Sequence, residues 1–475
     1  TAIWLSPVFE NNPRSYHGYA IQNYLDVDQR WGTKKDLERL VDKAHKLDIR
    51  VFLDVVLHHS GDNWSYPFDY DYYYANGERF PLGDWREKDR PLPIELRDPE
   101  LYNRKGQIRN FDKYPETQEG DFLTLKTFRN DGSPESEKLG ELLAAIHCYW
   151  IRETDVDGFR LDAVKHMKGQ DISRFCSTIR EYAYSLGKRN FFLFGEIIGN
   201  DETGNSYIGP KMLPEDQNVY YGLDSVLDHP LHSVLAGVIK GVSSPERLLE
   251  RYASLQRNAL SRGEYGDFLV TYIDDHDQVG TNFKHRFGYN ATPEQIVAGM
   301  GFLLCALGTP CIYYGTEQGL DGNGIDDRYI REGMFDPNDT ETNLLNRNSW
   351  IYGKIADLAK LRQTEPILKF GRMYFRKTSK NTVDFHYPNC EECLLTFSRV
   401  LHNGEILVVY NSSPKDVKVE YVLIDATINN AGGHMKCIYG GKTKVKVQKK
   451  LDRQDSRLYI KLKVKPMEFL IFKNS

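Results

Sequence analysis

From Thr33 to Leu47 apolar residues return on one helical face, at Leu37, Leu40, Val41, Ala44 and Leu47, and Thr33 and Asp36 are spaced as a capping box. The stretch predicts an amphipathic helix. It lies between two apolar runs, AIWLSPVF and RVFLDVVLHH, that read as strands. After an irregular stretch the rhythm resumes: helix SEKLGELLAAIHCYWIRE, strand DGFRLDAV, helix DISRFCSTIREYAYSL, strand NFFLFGEI and strand-like VYYGLDSVL. Then come helix SPERLLERYASLQRNAL, strand DFLVTYID, helix TPEQIVAGMGFLLCAL, strand PCIYYGT and helix GKIADLAKLRQ. Repeated strand-helix units demand right-handed crossovers and a parallel sheet. Seven such strands are counted, one short of a closed eight-stranded barrel, which fits an absent N-terminal strand.

Two regions break the pattern. Ser60 to Glu135 is rich in Pro, Gly, Asp, Tyr and Trp, as in DNWSYPFDYDYYYANG, and reads as a loop domain inserted after the third barrel strand. After about Pro366 the helices stop, and LLTFSRV, EILVVYNSS, VKVEYVLI, RLYIKLKVK and EFLIFK alternate as antiparallel strands. The lysine-rich GGKTKVKVQKK suits a solvated edge strand. The expected fold is therefore α/β: a (β/α)8 TIM barrel without its first strand here, an inserted loop domain and a C-terminal antiparallel β-sandwich. The segments are 1–59 and 136–366 for the barrel, 60–135 for the insertion and 367–475 for the sandwich.

Composition narrows the function classes. A net charge of −5 over 475 residues, with both signs interspersed, offers no basic face for nucleic acid. No run approaches the roughly 20 apolar residues of a membrane span. Seven scattered Cys make no disulfide framework, and CEEC lacks a second pair for zinc. The opening TAIWLSPVF has neither an initiator Met nor a signal pattern, so residues upstream are expected and localisation is not readable. The oligomeric state is equally unread.

The chemistry concentrates in VDGFRLDAVKHM, Val156 to Met167. Alternation places Arg160 and Asp162 on one face of this strand and Phe159 and Leu161 on the other. Charge on an inward face at a barrel strand's C-terminal end lines a cavity. Other strands end in the same way, with Asp54 and His58-His59, with Glu196, and with Asp274 to Asp277. Carboxylates around one cavity suit glycosidic-bond cleavage, which needs a proton donor and a carboxylate facing an oxocarbenium-like transition state. Arg160 beside Asp162 favours an ionised nucleophile, and the apolar FFLF before Glu196 is a drier setting that suits a proton donor.

These residues carry a resemblance that runs over nearly the whole chain. YHGYAIQNYLDVDQRWGT, DVVLHH, GFRLDAVKH, FGEI, YIDDHD and GTPCIYYGTEQG are similar, in order, to the strand motifs of the α-amylase family of glycoside hydrolases. The resemblance implies Asp162 as nucleophile, Glu196 as general acid and base, and Asp277 as the carboxylate stabilising the transition state. It implies that His59 and His276 bind hydroxyls of the sugar at the cleavage point, that Arg160 orients Asp162, that Tyr19 stacks on that sugar and that His17 bonds its hydroxyls. Lys165 and His166 match a pair that α-amylases and cyclodextrin-forming relatives use beyond the cleavage point. In the insertion, Trp64, Trp85 and Tyr72 to Tyr74 are candidate sugar platforms beside a packing role.

The expected activity is retaining endohydrolysis of α-1,4-glucans. A transglycosidase is the enzyme alternative, because a sugar hydroxyl in place of water uses the same first half-reaction. A non-catalytic carbohydrate-binding or partner subunit is the alternative of another class. Expected partners are α-glucan poly- or oligosaccharides, with no nucleic acid and no membrane. No cofactor is expected. Many α-amylases hold calcium between barrel and insertion, but here His58 stands where they have Asn, and FLTLKTF offers Thr124 and Lys126 where a carboxylate is wanted. The expectation is that the Lys126 ammonium replaces the ion near His58 and bonds the carbonyl of His166; Asp121 as the calcium ligand is the alternative.

Overall fold

The structure is a computed structural model describing residues 1–73, 78–212, 219–255, 259–260, 263–278, 284–336, 339–451 and 456–474. Tyr74, one of the sugar-platform candidates, lies outside the described residues. The chain divides into two compact units, Thr1–Leu227 and Asp228–Ser475.

In the first unit, β1 (Ala2–Leu5), β2 (Arg50–Val55), β3 (Gly158–Leu161), β4 (Phe192–Gly195) and β5 (Ser225–Leu227) lie side by side in chain order, all parallel. Helices supply the crossovers: α1 (Lys34–Lys46), α2 (Pro134–Thr154) and α3 (Gly169–Ser185). The Thr33–Asp36 capping box forms as the sequence predicts, but only Leu37, Val41 and Ala44 are buried; Leu40 and Leu47 are 39% and 72% exposed. The buried stripe is thus narrower than the apolar pattern. Helix α2 opens with a hydroxyl cap of its own, Ser133 accepting from the N–H of Ser136 ahead of Pro134, and buries Leu139, Leu143, Ile146 and Trp150. Strands β2 to β4 are buried on both faces, with Leu53, Val55, Phe159, Leu161 and Leu193 on one and Asp54, Arg160 and Phe194 on the other.

Between β2 and α2 the chain is irregular. His59–Ser60 pairs antiparallel with Lys126–Thr127, so the two ends of the insertion meet in a short ladder. Its interior is aromatic: Trp64 is fully buried with ring centroids 4.7 Å from Tyr66 and 5.8 Å from Tyr102, and Tyr70 stacks on Phe80 at 3.9 Å.

The second unit begins with helices α4 (His229–Ile239) and α5 (Glu246–Leu255). Helix α5 ends well before the Leu260 that the apolar pattern suggests, and Ala259–Leu260 pairs with Gly263–Glu264 instead. β6 (Leu269–Thr271) pairs parallel with β7 (Thr309–Pro310) across α6 (Pro293–Cys305), and α7 (Trp350–Thr364) follows. Of the expected Pro310–Thr316 run, only Pro310 lies in β7. The remaining chain forms a six-stranded and a four-stranded antiparallel sheet. Leu407, Val409 and Phe472 of one and Val422, Ile460 and Leu462 of the other share one core. The lysine-rich segment supplies edge strands, Lys444–Lys446 in the first sheet and Gln448–Leu451 in the second.

Candidate active site

The register of the parallel strands brings charge together. Asp54 of β2 stands opposite Arg160 of β3, and Leu161 stands opposite Gly195 of β4, so Asp162 and Glu196 leave neighbouring strands at one level. Arg160 is wholly buried; its Nη1 donates to Asp54 Oδ1 at 2.9 Å and to Asp162 Oδ1 at 2.6 Å. Its Nη2 stands 3.1 Å from Glu196 Oε1, an ion pair outside hydrogen-bond geometry. Burial works against the guanidinium's charge, but Asp54, Glu196, Tyr19 and Asp162 outweigh it and hold Arg160 protonated well above its ordinary range. The drier setting expected for Glu196 is therefore only half present: the residue is buried, yet its carboxyl faces a cation.

Two backbone features fix Glu196. Ala163 takes a left-handed conformation, φ 50°, and its N–H donates to Glu196 Oε2 at 3.1 Å. Gly195 leaves no room for a side chain, since a Cβ there would lie 2.6 Å from Leu223 Cδ1 and 3.0 Å from Val164 Cγ2. Asp54 acts as an anchor for the cluster, accepting from Trp4 Nε1 at 3.0 Å and from the Tyr19 hydroxyl at 2.9 Å. The indole of Trp4 lies 5.1 Å from the Arg160 guanidinium.

The other predicted residues of this unit gather around the cluster. Tyr19 is buried and its hydroxyl lies 3.4 Å from Arg160 Nη1; the half-buried His17 ring stacks beside it at 6.0 Å and accepts from the Tyr19 N–H at Nδ1. His59 is buried, with Nδ1 3.2 Å from Nδ1 of His58. Burial pushes His59 down to about 3 and His58 well below the usual imidazole range, so both are neutral. His166 is also lowered by burial and lies 2.6 Å from the carbonyl of Thr117. Phe122 covers all three rings, at 4.8, 5.5 and 4.5 Å from His58, His59 and His166. Lys165 reaches back to the insertion and pairs with Asp112.

In the second unit, past β6, Asp277 pairs with Arg331 Nη2 at 2.8 Å and with His276 Nε2 at 3.3 Å. Arg331 Nε also donates to the His276 carbonyl at 3.1 Å, and Lys284 donates to the Asp277 carbonyl. Asp274 is buried against Arg286 at 3.5 Å and accepts from the Thr316 hydroxyl at 2.8 Å; burial raises its carboxyl above the usual range.

Two expectations require correction. The Lys126 ammonium does not bond the carbonyl of His166: that oxygen accepts from Asn130 Nδ2 at 3.4 Å. Lys126 points into the insertion, 3.9 Å from both Asp62 and Asp121 and 5.0 and 5.2 Å from the rings of Trp64 and Tyr66, because two carboxylates and two ring faces there offset the cost of burying its charge. Trp64, a candidate sugar platform, is fully buried beneath that lysine; Trp85 is half-buried, Tyr72 bonds Glu119 at 2.9 Å, and Tyr73 is 59% exposed. Sequence reasoning missed Asn130, Asp112 and Arg331. All three lie in loops outside any strand motif, and only a map of spatial neighbours finds them.

Buried carboxylates around one guanidinium can supply an ionised nucleophile and a second carboxyl at the same level, which is the equipment of acid-assisted displacement at an acetal carbon. The model of the alpha-amylase catalytic domain matches residues 1–350. The chain is 28% identical over 440 residues to an alpha-amylase of Streptomyces lividans, covering 78% of this chain and 45% of that protein. It is 27% identical over 387 residues to a cyclomaltodextrin glucanotransferase of Thermoanaerobacterium thermosulfurigenes, covering 78% and 47%. It thus spans under half the length of either relative. A solved cyclomaltodextrin glucanotransferase with a three-domain arrangement has the same fold, with a TM-score of 0.73 at 24% identity over 100% of this chain and 87% of that one.

Proposed function

Because the chain belongs to the α-amylase family, we propose that it hydrolyses internal α-1,4-glucosidic bonds of starch- or glycogen-like glucans by a retaining double displacement. The observation that carries this reading is the single guanidinium of Arg160 in contact with both Asp162 and Glu196. Asp162, held ionised by that guanidinium, attacks the anomeric carbon. Glu196 gives its proton to the departing glycosidic oxygen and later takes one from the water that releases the glycosyl-enzyme. Asp277 offsets positive charge on the sugar as the bond breaks. His17, Tyr19, His59 and His276 hold that sugar, and Lys165 and His166 the one beyond it. The same reading divides the chain into a (β/α)8 barrel, 1–59 and 136–366, an inserted domain, 60–135, and a terminal sandwich, 367–475.

The residues near His58 do not suit a calcium ion. An imidazole stands where a hard cation wants oxygen, the Lys126 ammonium points away into the insertion, and the carbonyl of His166 already accepts from Asn130. The reading therefore routes no step through a metal, and Lys126 serves as the insertion's own cation.

Likeness to a glucanotransferase favours one second reading, transfer to a sugar hydroxyl. Incubation with soluble starch separates the two: short reducing oligosaccharides support hydrolysis, cyclic or lengthened products support transfer, and no product at all refutes both.

A further inference from the structure

We infer that a cavity between α2 and α3 is a second binding site, fitted to a small organic ammonium with an apolar body. It lies outside the sugar-binding set and does not depend on the proposed activity.

The cavity, within the first unit, has a volume of about 560 Å³. Close-packed interiors leave few voids larger than a water molecule, whereas small-molecule sites span roughly 300 to 1,000 Å³. Leu57 just past β2, Phe128 at the exit of the insertion, Leu139 and Leu143 of α2 and Phe175 of α3 give it apolar walls, all of them buried. Two polar atoms on those walls are buried without a hydrogen-bond partner among the described residues, Nε2 of His58 and Oδ2 of Asp171. Buried polar groups are nearly always bonded, so an orphan on a cavity wall marks a place for a ligand's own polar group. Walls this apolar suit water poorly, and an amphipathic molecule matches both parts of the lining.

Charge decides the sign of that molecule. The charged residues lining the cavity are Arg129, Arg174, Glu137, Glu141 and Asp171. Both guanidiniums already have partners: Arg129 bonds Asp131 at 2.7 Å and stands 3.2 Å from Glu135, and Arg174 stands 3.7 Å from Glu137. Glu141 is exposed, so water screens it. Asp171 is left with neither an ion pair nor a side-chain hydrogen bond among the described residues; Lys168 and Arg174 act on it only from longer range. An ammonium supplies what that oxygen lacks, a cation that donates hydrogen bonds. A ligand carboxylate would meet like charge at the same place. The apolar body then lies against the leucine and phenylalanine walls, and His58 Nε2 offers a second polar contact.

The test titrates 4-phenylbutylamine, a protonated amine at pH 8, into the whole chain by calorimetry, with 4-phenylbutan-1-ol as its neutral counterpart. The wild type should bind one amine per chain, about tenfold or more tighter than the alcohol, the scale of a charge-assisted hydrogen bond. Asp171→Asn keeps the shape of the side chain and removes its charge, so the amine should fall to the affinity of the alcohol. Asp162→Asn, in the sugar site, should bind the amine as the wild type does. Absence of binding by the amine overturns the inference, as does equal affinity for amine and alcohol. Amine binding that survives Asp171→Asn, or that is lost in Asp162→Asn, belongs to another place and is equally fatal. Inactivity of the protein on glucans would count against the proposed function and leave this inference standing.

Discussion

Lys126→Met removes the ammonium of a residue that is 5% exposed and keeps roughly the length and apolar stem of the side chain. Asp121, completely buried, then loses the cation 3.9 Å away and retains the Tyr66 hydroxyl at 2.9 Å and the Thr127 N–H at 2.9 Å. At an effective dielectric of about 20, each carboxylate at this distance attracts the ammonium by about 4 kcal/mol before desolvation. Removing one partner of a buried pair costs on the order of 3 to 5 kcal/mol, because the other charge is left alone. A loss of about 3 kcal/mol at pH 8 is expected. The pH dependence identifies the cause. Burial already raises the Asp121 carboxyl to about 6, with Lys126 the strongest influence pulling it down. A carboxyl raised in the folded state stabilises the fold as pH drops through its folded value and burdens it above. Without Lys126 that value climbs further, so protonation relieves the variant, and its penalty should shrink by more than half between pH 8 and pH 5. Unfolding midpoints at both pH values measure this, and Asp121→Asn combined with Lys126→Met should recover most of the loss at pH 8. An equal penalty at both pH values, or none, refutes the buried-pair reasoning.

Asp162→Asn should lower kcat by roughly 10³-fold or more while oligosaccharide binding, followed by calorimetry, persists; near-normal turnover removes Asp162 from its role. Burial raises the carboxyl of Asp171, in the first turn of α3, to about 6. Asp171→Asn should therefore stabilise the protein above pH 6 by on the order of 2 to 3 kcal/mol, with the difference fading towards pH 4 where both side chains are neutral. Gly195→Ala should cost about 1 to 3 kcal/mol by overpacking and lower kcat by moving Glu196, read from a melt and a rate on the same sample. A chelator should leave melting temperature and activity unchanged at the His58 position, since an ion that does not bind the native state cannot stabilise it; a drop restored by calcium, and abolished by changes around His58, counts against this.

The strand ends were the most legible part of the sequence. A period of two that places Arg160 and Asp162 together needs only local geometry, and the parallel register then aligns Asp54 and Glu196 with them. The alternating strands of the terminal sheets were equally plain. The insertion was not, because no periodicity governs it: the FLTLKTF motif sets Lys126 against His166, whereas its contacts are to Asp62, remote in sequence, and to Asp121, five residues away. Trp64 misled for a related reason. An aromatic residue in a polar loop suits a sugar face and a small core equally well, and only the neighbours decide. Helix α5 is shorter than its apolar pattern, since Ala259–Leu260 of that pattern belong to a strand pair.

The Arg160 cluster has a further consequence for which molecules the site prefers. Three carboxylates, from Asp54, Asp162 and Glu196, face one guanidinium, so negative charge remains in the majority even when Glu196 holds its proton. A neutral sugar gains little from that excess. A ring that becomes positive during bond cleavage gains much more, and so does a stable ring that is positive from the start. An imino sugar protonated at its ring nitrogen should therefore bind more tightly than a neutral sugar of the same shape, by a margin that dwindles as pH rises and the nitrogen loses its proton.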